Sequence, residues 1–129
     1  MARAKTAPEF EYRMTIARHF NERRQLPTTL ITIETTKVFA SFRYELSVRE
    51  EVKGKELHYA ILGLKAPQLS LPASGSAQFV REYENLKGKY EIRVESLDGT
   101  SNAFTINITQ KHITILKSPK TSFIELVVA

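Results

Sequence analysis

Cysteine and tryptophan are absent from this 129-residue chain, and glycine and proline number five each. Without cysteine there is no disulfide, no thiolate nucleophile and no cysteine-ligated zinc. The fold must therefore hold by burial and hydrogen bonding, and 42% hydrophobic residues suffice for the core of one domain spanning 1–129. Long apolar runs are missing too. Nothing approaches the roughly 20 residues of a spanning helix, and the basic stretch Met1–Pro8 leads into Glu9 and Glu11, not into the apolar core of a signal peptide. These absences predict a soluble, cytoplasmic protein with no membrane attachment.

Recognisable catalytic motifs are equally scarce. His19, His58 and His112 are scattered, and none has a partner at a familiar metal-ligand spacing. His58 and Glu56, two residues apart, come nearest, and a hairpin-end ion pair is the simpler reading. Ser74-Gly75-Ser76 is no nucleophile elbow, and Gly54-Lys55 and Gly88-Lys89 lack the upstream glycine of a phosphate loop. Glu82 and Glu84 would stand roughly 7 Å apart on a strand face, and Glu91 and Glu95 roughly 13 Å, separations from which acid–base pairs can be built. With Arg81 and Arg93 beside them and no aromatic sugar platform, they read as solvated strand residues. Asn107-Ile108-Thr109 matches a glycosylation sequon but falls within an expected strand. No catalytic residue, metal or cofactor is assigned, and a non-catalytic protein is expected.

A concentrated charge of one sign is also lacking. The net charge is +5, but residues 1–27 hold six Lys and Arg against three acidic residues, while residues 67–97 hold four of each. Along the main expected strand Arg43, Glu45, Arg49 and Glu51 alternate in sign, which suits cross-strand ion pairs and argues against a nucleic-acid surface.

What the chain does have is alternation. From Val38 to Val52, Val38, Ala40, Phe42, Tyr44, Leu46, Val48 and Val52 share one parity, and mostly polar residues share the other, with Phe39 and Glu50 as exceptions. This predicts one long strand with a dry and a wet face, turned at Lys53-Gly54-Lys55 into a returning strand over 56–64. Because Leu57–Leu64 is apolar on both parities, that strand is expected to be covered on both faces. Residues 9–25 fit an amphipathic helix. Phe10, Met14, Ile16, Ala17 and Phe20 fall on one broad face, early Glu9 and Glu11 and late Arg23 and Arg24 suit the helix dipole, and Pro8 and Pro27 bracket the segment. Residues 1–8 are left as a flexible tail.

Thr28–Lys37 reads as a strand whose Glu34–Lys37 end either turns or bends. The stretch 65–77, broken by Pro67, Pro72 and Gly75, is a long loop carrying Leu69 and Leu71. Further strands are expected over 78–86, around Tyr90, Ile92 and Val94, around Phe104, Ile106 and Ile108 after the Asp98-Gly99 turn, over 112–117, and over 123–128. The fold expected is mainly β, an N-terminal helix followed by a seven- to eight-stranded antiparallel meander over 28–129. That meander would close into a small barrel or curved half-barrel, or alternatively stack as a two-sheet sandwich. Such a sheet suits a small apolar ligand, held by Phe42, Tyr44, Leu46, Tyr59, Leu69, Leu71, Tyr90, Ile92 and Phe104. The alternative is a protein-interaction or homo-oligomerising domain using the helix, the Leu69–Leu71 loop or an edge strand.

Overall fold

The structure is a computed structural model that describes residues 10–40, 44–66 and 75–129. The expected tail over 1–8 and loop residues 67–74 lie outside this description. Nine strands follow in chain order: β1 (Tyr12–Asn21), β2 (Leu26–Phe39), β3 (Glu45–Lys53), β4 (Glu56–Lys65), β5 (Gly75–Glu84), β6 (Gly88–Glu95), β7 (Ser101–Ile108), β8 (Ile113–Lys117) and β9 (Ile124–Val128). They form one sheet in the order β8-β7-β6-β4-β3-β5-β2-β1-β9, curled into a nearly closed barrel. No helix among the described residues is long and apolar enough to cross a membrane.

Four expectations are corrected. The segment assigned to a helix over 9–25 is strand β1 and its turn, paired along its whole length with β2 from Tyr12↔Thr35 to Asn21↔Leu26. Its good helix formers are overridden by tertiary pairing. With β2 on one side and β9 on the other, Met14 and Ile16 point into the core and are fully buried, while Phe20 of the supposed apolar face is half exposed. Residues 22–25 wind tightly, with the Gln25 amide donating to the Asn21 carbonyl at 2.7 Å and Gln25 at positive φ, so a helical tendency survives only as a turn. Pro27 is tolerated near the start of β2, one residue before pairing with β5 begins at Thr28↔Glu84.

Nor is the sheet an antiparallel meander. β1–β9, β3–β5 and β4–β6 are parallel pairs, because β6 returns beside β4 and the last strand beside the first. The alternation over 38–52 likewise does not belong to one strand. It spans the end of β2 and nearly the whole of β3, and of its dry parity Leu46 is buried whereas Val38 and Val52 are half exposed or more. β4 lies inside the sheet but is dry on one face only, through Leu57, Tyr59 and Ile61.

Met14, Ile16, Ile31 and Ile33 of β1 and β2 meet Leu57, Tyr59, Ile92, Val94, Phe104 and Ile106 of β4, β6 and β7 in one buried cluster. Each fully buried aliphatic side chain contributes roughly 1.5–3 kcal/mol against exposure. The two groups of strands join through β3 and β5, which share the single backbone pair Glu45↔Gln78.

Candidate binding site

Among the described strands the ladder breaks at three places: β7 and β8 slip between Thr105 and Ile106 at the sheet edge, and the other two breaks lie together at one end of the barrel. In β2 the register against β5 slips between Glu34↔Gln78 and Val38↔Ser76, leaving three residues opposite one. The tetrad Glu34–Lys37 thus bends one long strand. Thr35 makes the bend affordable in polar terms: its buried hydroxyl accepts the Ala77 amide at 2.9 Å and donates to the Lys37 carbonyl at 2.8 Å, replacing lost ladder bonds. Thr36 ties the bend to the chain before β1 through its amide on the Glu11 carbonyl and its hydroxyl on the Phe10 carbonyl at 2.6 Å. The second break lies between β3 and β4, where Ser47 pairs with Gly63 but Val48 with Ile61, so that Leu62 is extra. Gly63 has φ 127°, a conformation that L side chains rarely adopt, and after the bulge Leu64 returns to the inner face opposite Leu46.

Between these bulges the barrel end opens into a cleft of about 540 Å³. Phe10, Tyr12, Phe39, Leu46, Leu64 and Leu97 supply its apolar wall, and Thr35, Thr36, Glu11 and Lys37 its polar margin. Phe39 stacks edge-on with Tyr44 at 5.1 Å between ring centroids, and the Lys37 ammonium lies 5.4 Å from the Phe39 ring centre. This is the size of cavity that takes a small organic molecule.

No family model, curated protein or solved structure matches the chain. The site is therefore read from its own chemistry.

Of the nine residues singled out in the sequence, Leu46 lines the cleft and Tyr44 packs at its side against Phe39. Tyr59, Tyr90, Ile92 and Phe104 are buried in the shared core beneath it. Phe42, Leu69 and Leu71 lie outside the described residues. Phe10 and Tyr12 escaped notice because their segment read as a helix. Gly63 and the run Glu34–Lys37 did carry a signal: a glycine inside a strand pattern and a polar tetrad at a strand end are both marks of a bulge.

A polar chain occupies the opening between β3 and β5. Tyr59 Oη lies 2.7 Å from Tyr83 Oη, Tyr83 donates to the Glu50 carboxylate, and Arg81 Nε donates to the same carboxylate at 2.8 Å. Arg81 also covers the Phe79 ring at 4.7 Å. Glu50 pairs with Tyr59 across β3–β4 and so points inward, where a carboxylate is out of place unless partnered. Burial, reinforced by the Tyr83 contact, pushes the Tyr59 hydroxyl well above the ordinary tyrosine range, and burial followed by the Glu50 hydrogen bond does the same for Tyr83. Both hydroxyls stay protonated at neutral pH. They donate hydrogen bonds across the opening.

Among the described residues one group has metal-ligating donors in proximity, Glu56, His58 and Glu91, on the outer face of β4 and β6. It is remote in sequence register from the cleft, which lies at the opposite end of β4.

Proposed function

We propose that this protein is a non-catalytic binding module that holds a small, mainly apolar ligand in the cleft at the bulged end of its barrel. The observation that carries the reading is the pairing of two ladder breaks around one apolar cavity of about 540 Å³ above a filled core. Bulges cost backbone hydrogen bonds, and Thr35 and Thr36 are committed to repairing them, so the opening is maintained by dedicated side chains. Lys37 and Glu11 at the margin favour a ligand with one polar end, such as a medium-chain fatty acid or alcohol.

Native mass spectrometry of protein purified from its own host, followed by thermal unfolding with a series of fatty acids and alcohols, tests this. A co-purifying small molecule, or a chain-length-dependent rise in Tm that Leu46→Trp abolishes by filling the cleft, is expected. Ligand-free protein whose Tm no member of the series raises would overturn the reading.

A second reading has its own support. Leu64 and Leu97 at the cleft, and Val38 and Leu62 at the two bulges, are large apolar side chains roughly half exposed or more. Exposed apolar side chains at one end suit a protein partner or a second copy of the chain. Sedimentation showing a dimer that Leu64→Asp and Leu97→Asp disperse would favour it over a small ligand.

A further inference from the structure

Glu56 and His58 are two apart on β4 and therefore share a face, the outer one, because Leu57 and Tyr59 point into the core. Parallel pairing with β6 places Glu91 directly beside Glu56. With neighbouring strands about 4.8 Å apart, one oxygen of each carboxylate and one imidazole nitrogen come to lie within 4.8 Å of one another. His58 Nε2 is 3.1 Å from Glu56 Oε1. Its other ring nitrogen, Nδ1, is turned toward Glu51 of β3 at 3.9 Å, the side from which a carboxylate orients a metal-bound imidazole.

We propose that Glu56, His58 and Glu91 form a site for one divalent transition-metal ion of the zinc type, with Glu51 as the positioning residue behind His58. One imidazole nitrogen and two carboxylate oxygens, with water in the fourth position, are a zinc donor set. The imidazole selects zinc, cobalt or nickel over magnesium or calcium, which prefer oxygen alone. The strand backbones fix the roots of all three side chains, so contraction to metal–ligand bonds of about 2.0–2.2 Å requires only rotation of carboxylates that are partly or fully exposed. Arg93 competes, its Nη2 standing 3.6 Å from Glu91 Oε1, and Lys53 competes at Glu51 at the same distance. These cations make the site weaker than a buried structural one. A bound ion would cross-link β4 to β6 and so tie the β3–β4 hairpin to the β6–β7 hairpin.

Full-length protein stripped with chelator is titrated with zinc chloride by calorimetry and with cobalt chloride by visible absorption. One ion per chain is expected, with a Kd on the order of micromolar and a four-coordinate cobalt spectrum. His58→Ala and Glu91→Gln, with circular dichroism unchanged, are each expected to weaken binding about tenfold or more, and Glu51→Gln by less. His112→Ala should leave it intact. Absence of saturable binding at millimolar zinc, or binding that survives both His58→Ala and Glu91→Gln, would overturn the proposal.

Discussion

At the barrel end that carries the turns 22–25 and 54–55, the ladders run in register to their last pairs, Asn21↔Leu26 and Lys53↔Glu56. At the other end the ladders of β2 with β5 and of β3 with β4 each slip, whereas the remaining slip, of β7 against β8 between Thr105 and Ile106, lies at the sheet edge away from the cleft. The regular end spends its polar side chains on closure. Glu82 accepts from the Thr28 hydroxyl at 2.6 Å and from the Asn21 amide at 3.0 Å, Arg24 pairs with Glu84, and Arg18 donates to the buried Thr29 hydroxyl at 2.9 Å. Hydrogen bonds from Thr28 and then Asn21 hold the Glu82 carboxyl below its ordinary range. The bulged end spends Thr35 and Thr36 on keeping an irregular backbone satisfied, and the space so opened is lined with aromatic and aliphatic side chains. A fully regular barrel would have neither the cleft nor the need for those threonines. The difference between the ends is what marks the bulged end as the candidate site.

Core truncation should break the comparison most strongly. Ile31→Ala, at a fully buried position, is expected to cost about 2–5 kcal/mol, with Leu46→Ala at the cleft near the lower limit because half-exposed Leu64 can settle into the space. Urea unfolding midpoints check this; equal losses would mean that the cleft is packed as tightly as the core. Next in size is Thr35→Val, which leaves the Ala77 amide without its acceptor and should cost about 1–3 kcal/mol, with Thr35→Ser retaining most of the stability. Hydrogen exchange at Ala77 should accelerate in the valine variant alone.

The opening between β3 and β5 offers a third contrast. Tyr83→Phe removes a hydrogen bond to a carboxylate and is expected to cost about 1.5 kcal/mol. Because the folded hydroxyls of Tyr59 and Tyr83 resist ionisation, their contribution is complete below the unfolded tyrosine pKa of about 10. It is lost as pH rises beyond that value, where only the unfolded chain ionises readily. Alkaline melting curves should show a fall in Tm that Tyr83→Phe reduces.

At acid pH the 96–100 turn behaves in the opposite sense. The Ser96 hydroxyl, then the Thr100 amide, lower the Asp98 carboxyl to about 2. Its stabilisation is present above the unfolded value of about 3.9 and fades as pH falls toward 2, which Asp98→Asn would make pH-independent in that window. The smallest effect should come from the exposed Arg13–Glu125 pair between β1 and β9, where Arg13→Ala is expected to cost about 0.2–1 kcal/mol, less at high salt.

Much of the C-terminal architecture was legible beforehand. Tyr90, Ile92 and Val94, and Phe104, Ile106 and Ile108, alternate in the sequence and are buried in the structure, because a strand with one dry face leaves a period-two pattern wherever it falls in the sheet. The turns at Gly54 and at Asp98-Gly99 were legible for a local reason, the backbone demands of a tight reversal. The β1 segment was not. Tyr12, Met14 and Ile16 do alternate, but the same residues also fit a helical face, and only the presence of β2 and β9 on either side decides between the two periods.

Amino-acid order alone therefore determined a β-rich chain without disulfides, the turns at Gly54 and at Asp98-Gly99, and the inward parity of β6 and β7. Tertiary structure decided that the first strand lies between the second and the last, that three pairs run parallel, and that the bulges of β2 and of β3–β4 face one cavity. It also brought Glu91 beside Glu56 and His58, from a strand more than thirty residues along the chain. The physical reason is common to all of these. Periodicity and turn chemistry act between near neighbours in sequence, whereas strand order and register are set by which distant apolar faces can be buried together.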